Sequence, residues 1–184
     1  MKFVLLAFAL ACLASEPLHG GRIVGVVRAE SPPDADEAAG GGDAYQSRRY
    51  RFLDRIDYDQ LRDFVVYIES PVPNAVDHDR PRPTAAMEQR NGAFIPRVLP
   101  IVAGTKVIWP NRDDIYHNVF SMSDARPFDL GMYKSSDHPK GLVFDKPGQI
   151  DVFCAIHSQM HGIVLVLPTS HFAISDARGR FAIE

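Results

Sequence analysis

From residue 93 to residue 168 the chain is a succession of short apolar runs parted by turn residues: AFIPRVLPIV, GTKVIWPN, HNVFSMS, GLVFDKPG, QIDVFCAI and GIVLVLP. The runs have strand length and are rich in Val, Ile and Phe. They close on Gly, Pro, Asn or Asp, with no strongly amphipathic helix between them. Runs of this kind bury their apolar sides only against one another, which confines this part of the chain to an antiparallel sandwich or barrel. Further strands are predicted at 22–28 (RIVGVVR) and 64–69 (FVVYIE). The tail HFAISDARGRFAIE (171–184) reads as a short C-terminal hairpin around Asp176-Ala177-Arg178-Gly179. The predicted fold class is all-β.

The N-terminal part is of a different texture. Residues 1–20 open with Lys2, continue as an apolar run from Phe3 to Leu13 and pass into small residues. This is the order of a secretory signal peptide, too short to remain as a membrane-spanning helix. A periplasmic or extracellular location is expected, with lipid attachment at Cys12 as the less favoured alternative. Residues 30–46 (ESPPDADEAAGGGDAYQ) read as a solvated insertion, 48–63 as a short helix at most, and 73–92 as an irregular, proline-rich polar stretch. The expected division is therefore 21–91 for N-terminal strands with insertions, 92–168 for the core and 169–184 for a C-terminal extension. Loss of the leader removes one base and one acid, so the formal charge stays at −3. With Lys and Arg dispersed among carboxylates, no basic stripe is left for a nucleic acid.

The chain has two cysteines, Cys12 and Cys154. Removal of the leader leaves Cys154 without a disulfide partner, and a lone thiol in an oxidising compartment is either buried or committed to a ligand. Its neighbours argue for the second. Cys154, His157 and Met160 follow at intervals of three between two apolar runs, which places them on one tight loop joining two strands. Thiolate, imidazole and thioether converging on a point make a soft set that selects copper. A further imidazole is offered by His117, at the start of the run HNVFSMS. His161, beside Met160, is the alternative ligand, and would suggest a red-copper catalytic site. A Cys-His nucleophile pair lacks an orienting group and leaves Met160 unexplained. His19, His78, His138 and His171 read as surface residues, Asp113-Asp114 as a solvated turn, and Trp109, Pro110 and Phe153 as core.

His117-Asn118-Val119 followed by Cys154-x-x-His157-x-x-Met160 resembles the type 1 copper site of the cupredoxins, with loop spacing similar to amicyanin. NGAFIPRVLPIVAGTKVIWPNRDDIYHNVFSMS, FDLGMY and FDKPGQIDVFCAIHSQMHGIVLVL are similar to exported plastocyanin-like proteins often labelled methylamine-utilisation proteins. RIVGVV, FVVYIE and HFAISDARGRFAI resemble strands of carboxypeptidase-regulatory-like modules. The resemblance implies a Greek-key cupredoxin sandwich binding one copper ion. His117, Cys154 and His157 would be equatorial ligands and Met160 the long axial one. Asn118 would tie the ligand loop to the His117 strand. Ile156 stands where the family usually has Pro or a polar residue. The implied function is single-electron transfer between redox partner proteins that dock transiently. A copper carrier, a catalytic copper protein and a metal-free adhesion sandwich are the alternatives.

Overall fold

A computed structural model describes residues 21–30, 64–69 and 83–184. The expected leader at 1–20, the helix at 48–63 and nearly all of the acidic insertion lie outside the described residues. Fourteen strands are present among those described, and no helix. In chain order they are β1 (Ile23–Val26), β2 (Val65–Tyr67), β3 (Thr84–Ala86), β4 (Glu88–Arg90), β5 (Ala93–Ile95), β6 (Val98–Val102) and β7 (Thr105–Trp109). There follow β8 (His117–Ser121), β9 (Phe128–Tyr133), β10 (Lys140–Phe144), β11 (Gly148–Phe153), β12 (His161–Leu167), β13 (Phe172–Ile174) and β14 (Arg180–Ile183).

Two sheets form the body. One has the order β6-β12-β11-β8-β9 and the other β10-β7-β3. Successive strands change sheet: β7 lies in the smaller, β8 and β9 in the larger, β10 in the smaller, β11 and β12 in the larger. The crossings account for the parallel pairs β6 with β12 and β3 with β7 within an otherwise antiparallel arrangement. The fold is an all-β sandwich.

Period-two burial fixes the packing. In β7, Thr105, Val107 and Trp109 are buried while Lys106 is exposed, and in β11 Ile150 and Val152 face inward. Trp109, fully buried, lies 5.5 Å from Phe128 of the larger sheet and 5.9 Å from Phe144 of its own, ring centroid to centroid. Aromatic rings thus bridge the two layers, and burial of each such side chain stabilises the sandwich by about 1.5–3 kcal/mol.

Two expectations are revised. The stretch 73–92 contains β3 and β4. These strands are poor in β-branched residues; their stability comes from parallel pairing of β3 with β7, antiparallel pairing of β4 with β5, and burial of Met87 and Gln89. Asn91 and Gly92, both at positive φ, form the two-residue turn from β4 to β5, a conformation that favours Asn-Gly. The tail has its turn, in which Gly179 N–H donates to Asp176 O at 2.8 Å. Its strands, however, do not form a ladder with each other: β13 pairs with β2 and β14 with β1. The tail therefore clasps the two N-terminal strands.

Candidate metal centre

Phe153 and His161 are the last pair of the β11–β12 ladder. Both face the outer side of the larger sheet, so Cys154 and Met160, one residue further on, turn to the inner side, where both are buried. The loop between them is closed by Cys154 N–H to Met160 O at 3.4 Å and by Met160 N–H to His157 O at 3.0 Å. These bonds bring the middle of the loop back toward its own start. Cys154 Sγ lies 3.6 Å from His157 Nδ1.

From the neighbouring strand β8, His117 is fully buried and meets the loop. Its Nδ1 is 3.0 Å from His157 Nδ1, and the ligand atoms of His117, Cys154 and His157 all lie within 4.8 Å of one another. Opposite β8, strand β9 uses three steps, Met132 to Asp129, where β8 uses two, Asn118 to Phe120. The irregularity, with Gly131 at positive φ, places Asp129 against Asn118. Asn118 Nδ2 donates to Asp129 Oδ1 at 2.6 Å, and Asn118 Oδ1 accepts from Ala155 N–H at 3.2 Å. The backbone N–H of Asn118 points at Cys154 Sγ at 3.4 Å. Two histidines and a thiol thus meet between β8 and the β11–β12 loop of a two-sheet sandwich.

No protein-family model matches the sequence, and no curated protein does. Among solved structures the chain is similar to a purple cupredoxin from Nitrosopumilus maritimus, at 24% identity over 45% of this chain and 98% of that one, with a TM-score of 0.40. It is also similar to a copper-containing nitrite reductase from Thermus scotoductus, at 27% identity over 53% of this chain and 25% of that chain (TM-score 0.43). A mutant of amicyanin in its reduced Cu(I) form is similar at 23% identity over 55% of this chain and 97% of its own (TM-score 0.42).

The centre has two features absent from the sequence reading. Asp113, expected in a solvated turn with Asp114, accepts from Asn91 N–H at 2.7 Å and Gly92 N–H at 3.0 Å, and its Oδ2 is 2.8 Å from His117 Nε2. Burial pushes the Asp113 carboxyl up, but the donors from Gly92, His117 and Asn91 together outweigh it and hold the group below the usual carboxylate range. Beneath the centre, Tyr133 faces His117 across the ladder. Its hydroxyl donates to Trp109 O at 2.7 Å and accepts from Gln89 Nε2 at 2.6 Å. Burial, against the Gln89 bond, keeps that hydroxyl protonated far above its ordinary range.

His161 is not brought into the cluster. It lies on the outer face, stacked on Phe153 at 4.9 Å, with Nε2 2.9 Å from Asp151 Oδ1. Strand alternation is the physical reason: a residue paired with Phe153 cannot share the face of Cys154 and Met160. The Asp151 carboxyl is held below its usual range chiefly by this histidine. Of the remaining histidines, His171 is at the tail, with Nδ1 2.8 Å from Glu184 O, and His138 is exposed in the turn before β10. His19 and His78 lie outside the described residues.

Proposed function

We propose that this protein is an exported carrier of single electrons that binds one copper ion in a type 1 site, with His117, Cys154 and His157 as equatorial ligands and Met160 as the axial one. The observation that carries the reading is the facing pair of imidazole nitrogens, His117 Nδ1 and His157 Nδ1, 3.0 Å apart beside the Cys154 thiol. With Nε2 of a neutral His117 donating to Asp113, its Nδ1 presents a bare lone pair. That lone pair is satisfied by a proton on His157 or by a cation drawn in between. A thiolate and two imidazoles fit copper, and the thioether of the buried Met160 at the loop's end completes a soft set.

Copper held there supplies a one-electron couple. The chain's own residues would hold the ligand atoms in place. Asn118 fastens the loop through Ala155 and is itself fastened to Asp129, while its backbone N–H points at Cys154 Sγ, where it would stabilise a copper-bound thiolate. The segments carrying the histidines leave Ile115, Tyr116 and Ile156 about half exposed. These apolar side chains suit brief docking of a redox partner near His157, the partly exposed ligand.

The reading is tested with copper-loaded protein by absorption spectroscopy and voltammetry. An intense blue thiolate-to-copper band with a reversible one-electron wave, both lost in Cys154→Ser, supports it. Copper binding that is fast, colourless and indifferent to Cys154→Ser contradicts it and points to a carrier.

A further inference from the structure

We propose that Asp113 is the positioning residue of the metal centre, holding His117 by its remote nitrogen so that Nδ1 faces the site, and that the Asn91-Gly92 turn holds Asp113 in turn. The proposal deepens the copper reading and rests on it for its metal-binding arm alone.

The Asp113 carboxylate meets three donors from two parts of the chain. Oδ1 accepts from Asn91 N–H; Oδ2 accepts from Gly92 N–H and is 2.8 Å from His117 Nε2. Both backbone donors come from the tight turn of the β4–β5 hairpin, where positive φ at two successive residues aims the amides outward on one side. The segment bearing Asp113 is strapped down independently. Asn111 Nδ2 donates to Ile115 O and Tyr133 O, Asn111 Oδ1 accepts from Asp113 N–H, and Arg112 N–H donates to Gln89 O. Asp113 is therefore fixed at its backbone by β9 and β4 and at its side chain by the turn.

A group so fixed does two things that a backbone carbonyl in its place would not do together. As an acceptor only, it selects the Nε2–H tautomer of His117 and leaves Nδ1 free as the ligand atom. As an anion one ring away from the ion, it favours the more highly charged oxidation state, Cu(II) over Cu(I), and so lowers the reduction potential. The β4–β5 turn also approaches the ligand loop: a Cβ at Gly92 would come within 3.8 Å of Gln159 Nε2. One hairpin turn thereby stands against both the His117 side and the loop side of the centre.

The test compares wild type, Asp113→Asn and Asp113→Glu. An amide at 113 has one acceptor oxygen for donors that now share two, so at least one backbone N–H or the imidazole loses its partner. Copper(II) affinity should fall about 10–100-fold in Asp113→Asn. Its reduction potential should rise, and Asp113→Glu, which keeps the charge, should recover part of both. In metal-free wild type, nitrogen NMR of the imidazoles should show His117 as the Nε2–H tautomer, with mixed tautomers in Asp113→Asn. Wild type in the Nδ1–H tautomer, or an Asp113→Asn protein with unchanged affinity, potential and tautomer, overturns the proposal. Should Asp113→Asn fail to fold, the wild-type tautomer and the Asp113→Glu potential still decide it. Wild type that binds no copper overturns the functional reading, while the tautomer measurement judges Asp113 on its own.

Discussion

Asn118 is the residue on which most of the local order converges, because its amide joins the ligand loop to β9 through Ala155 and Asp129. Truncation leaves Ala155 N–H and one Asp129 oxygen without this partner in a partly buried place. Asn118→Ala should lose about 1–3 kcal/mol of unfolding free energy, read by urea titration of the metal-free protein. A second prediction concerns Asp176, which accepts from Arg178 N–H and Arg180 N–H and pairs with the Arg180 guanidinium. The Arg180 backbone bond, then its side chain, bring its pKa down to about 2. A depressed carboxylate pKa stabilises the folded state fully above the unfolded value, and that contribution is lost as pH falls through the folded one. The amide shifts of Arg178 and Arg180 should therefore titrate with a midpoint of about 2, not near 3.8. At this scale the sequence revealed the chemistry that is local in the chain. Cys154, His157 and Met160 announce themselves by spacing, and His117 by the run it begins. The role of Asp113 was hidden because two of its three donors come from a turn some twenty residues away, whose proximity only the fold creates.

Among the elements, strand alternation decides which of two neighbouring residues turns to the buried face that carries Cys154. Met160 goes inward and His161 outward, so His161→Ala should leave copper stoichiometry and the visible spectrum unchanged, as measured by titration with copper(II). The tail gives a second prediction at this scale. Gly179 is at positive φ, and a Cβ there would stand 2.1 Å from Val27 O. Gly179→Ala should therefore force β14 away from β1, at a cost of about 1–3 kcal/mol, and should speed hydrogen exchange at Val27 and in the β1–β14 ladder. Strands β7, β8, β11 and β12 were legible because each lies in a short apolar run bounded by turn residues. β3 and β4 were not. Their residues, Thr-Ala-Ala and Glu-Gln-Arg, have weak strand preference, and pairing with β7 and β5 supplies what the residues lack. The tail's turn was legible from Asp-Ala-Arg-Gly, whereas its partners β1 and β2 could not be read from adjacency.

The molecule as a whole is a sandwich whose core reaches the metal centre without a break: Trp109, Tyr133, Val119, Val152, Cys154 and Met160 belong to one buried cluster. A ligand bound to the folded state alone raises stability by mass action, so copper should raise the melting temperature by an amount that grows with the logarithm of its affinity. Trp109, the single tryptophan and fully buried, reports that transition by fluorescence. The rise should be absent in Cys154→Ser, with the metal-free melting of the two proteins compared as the reference. The site proposed above holds one copper ion among His117, Cys154 and His157. Anomalous diffraction at the copper edge from copper-loaded crystals tests it most directly. One peak within bonding distance of His117 Nδ1, Cys154 Sγ and His157 Nδ1 is the predicted result; a peak at His161 and Asp151, or none at the Cys154 sulfur, would contradict it.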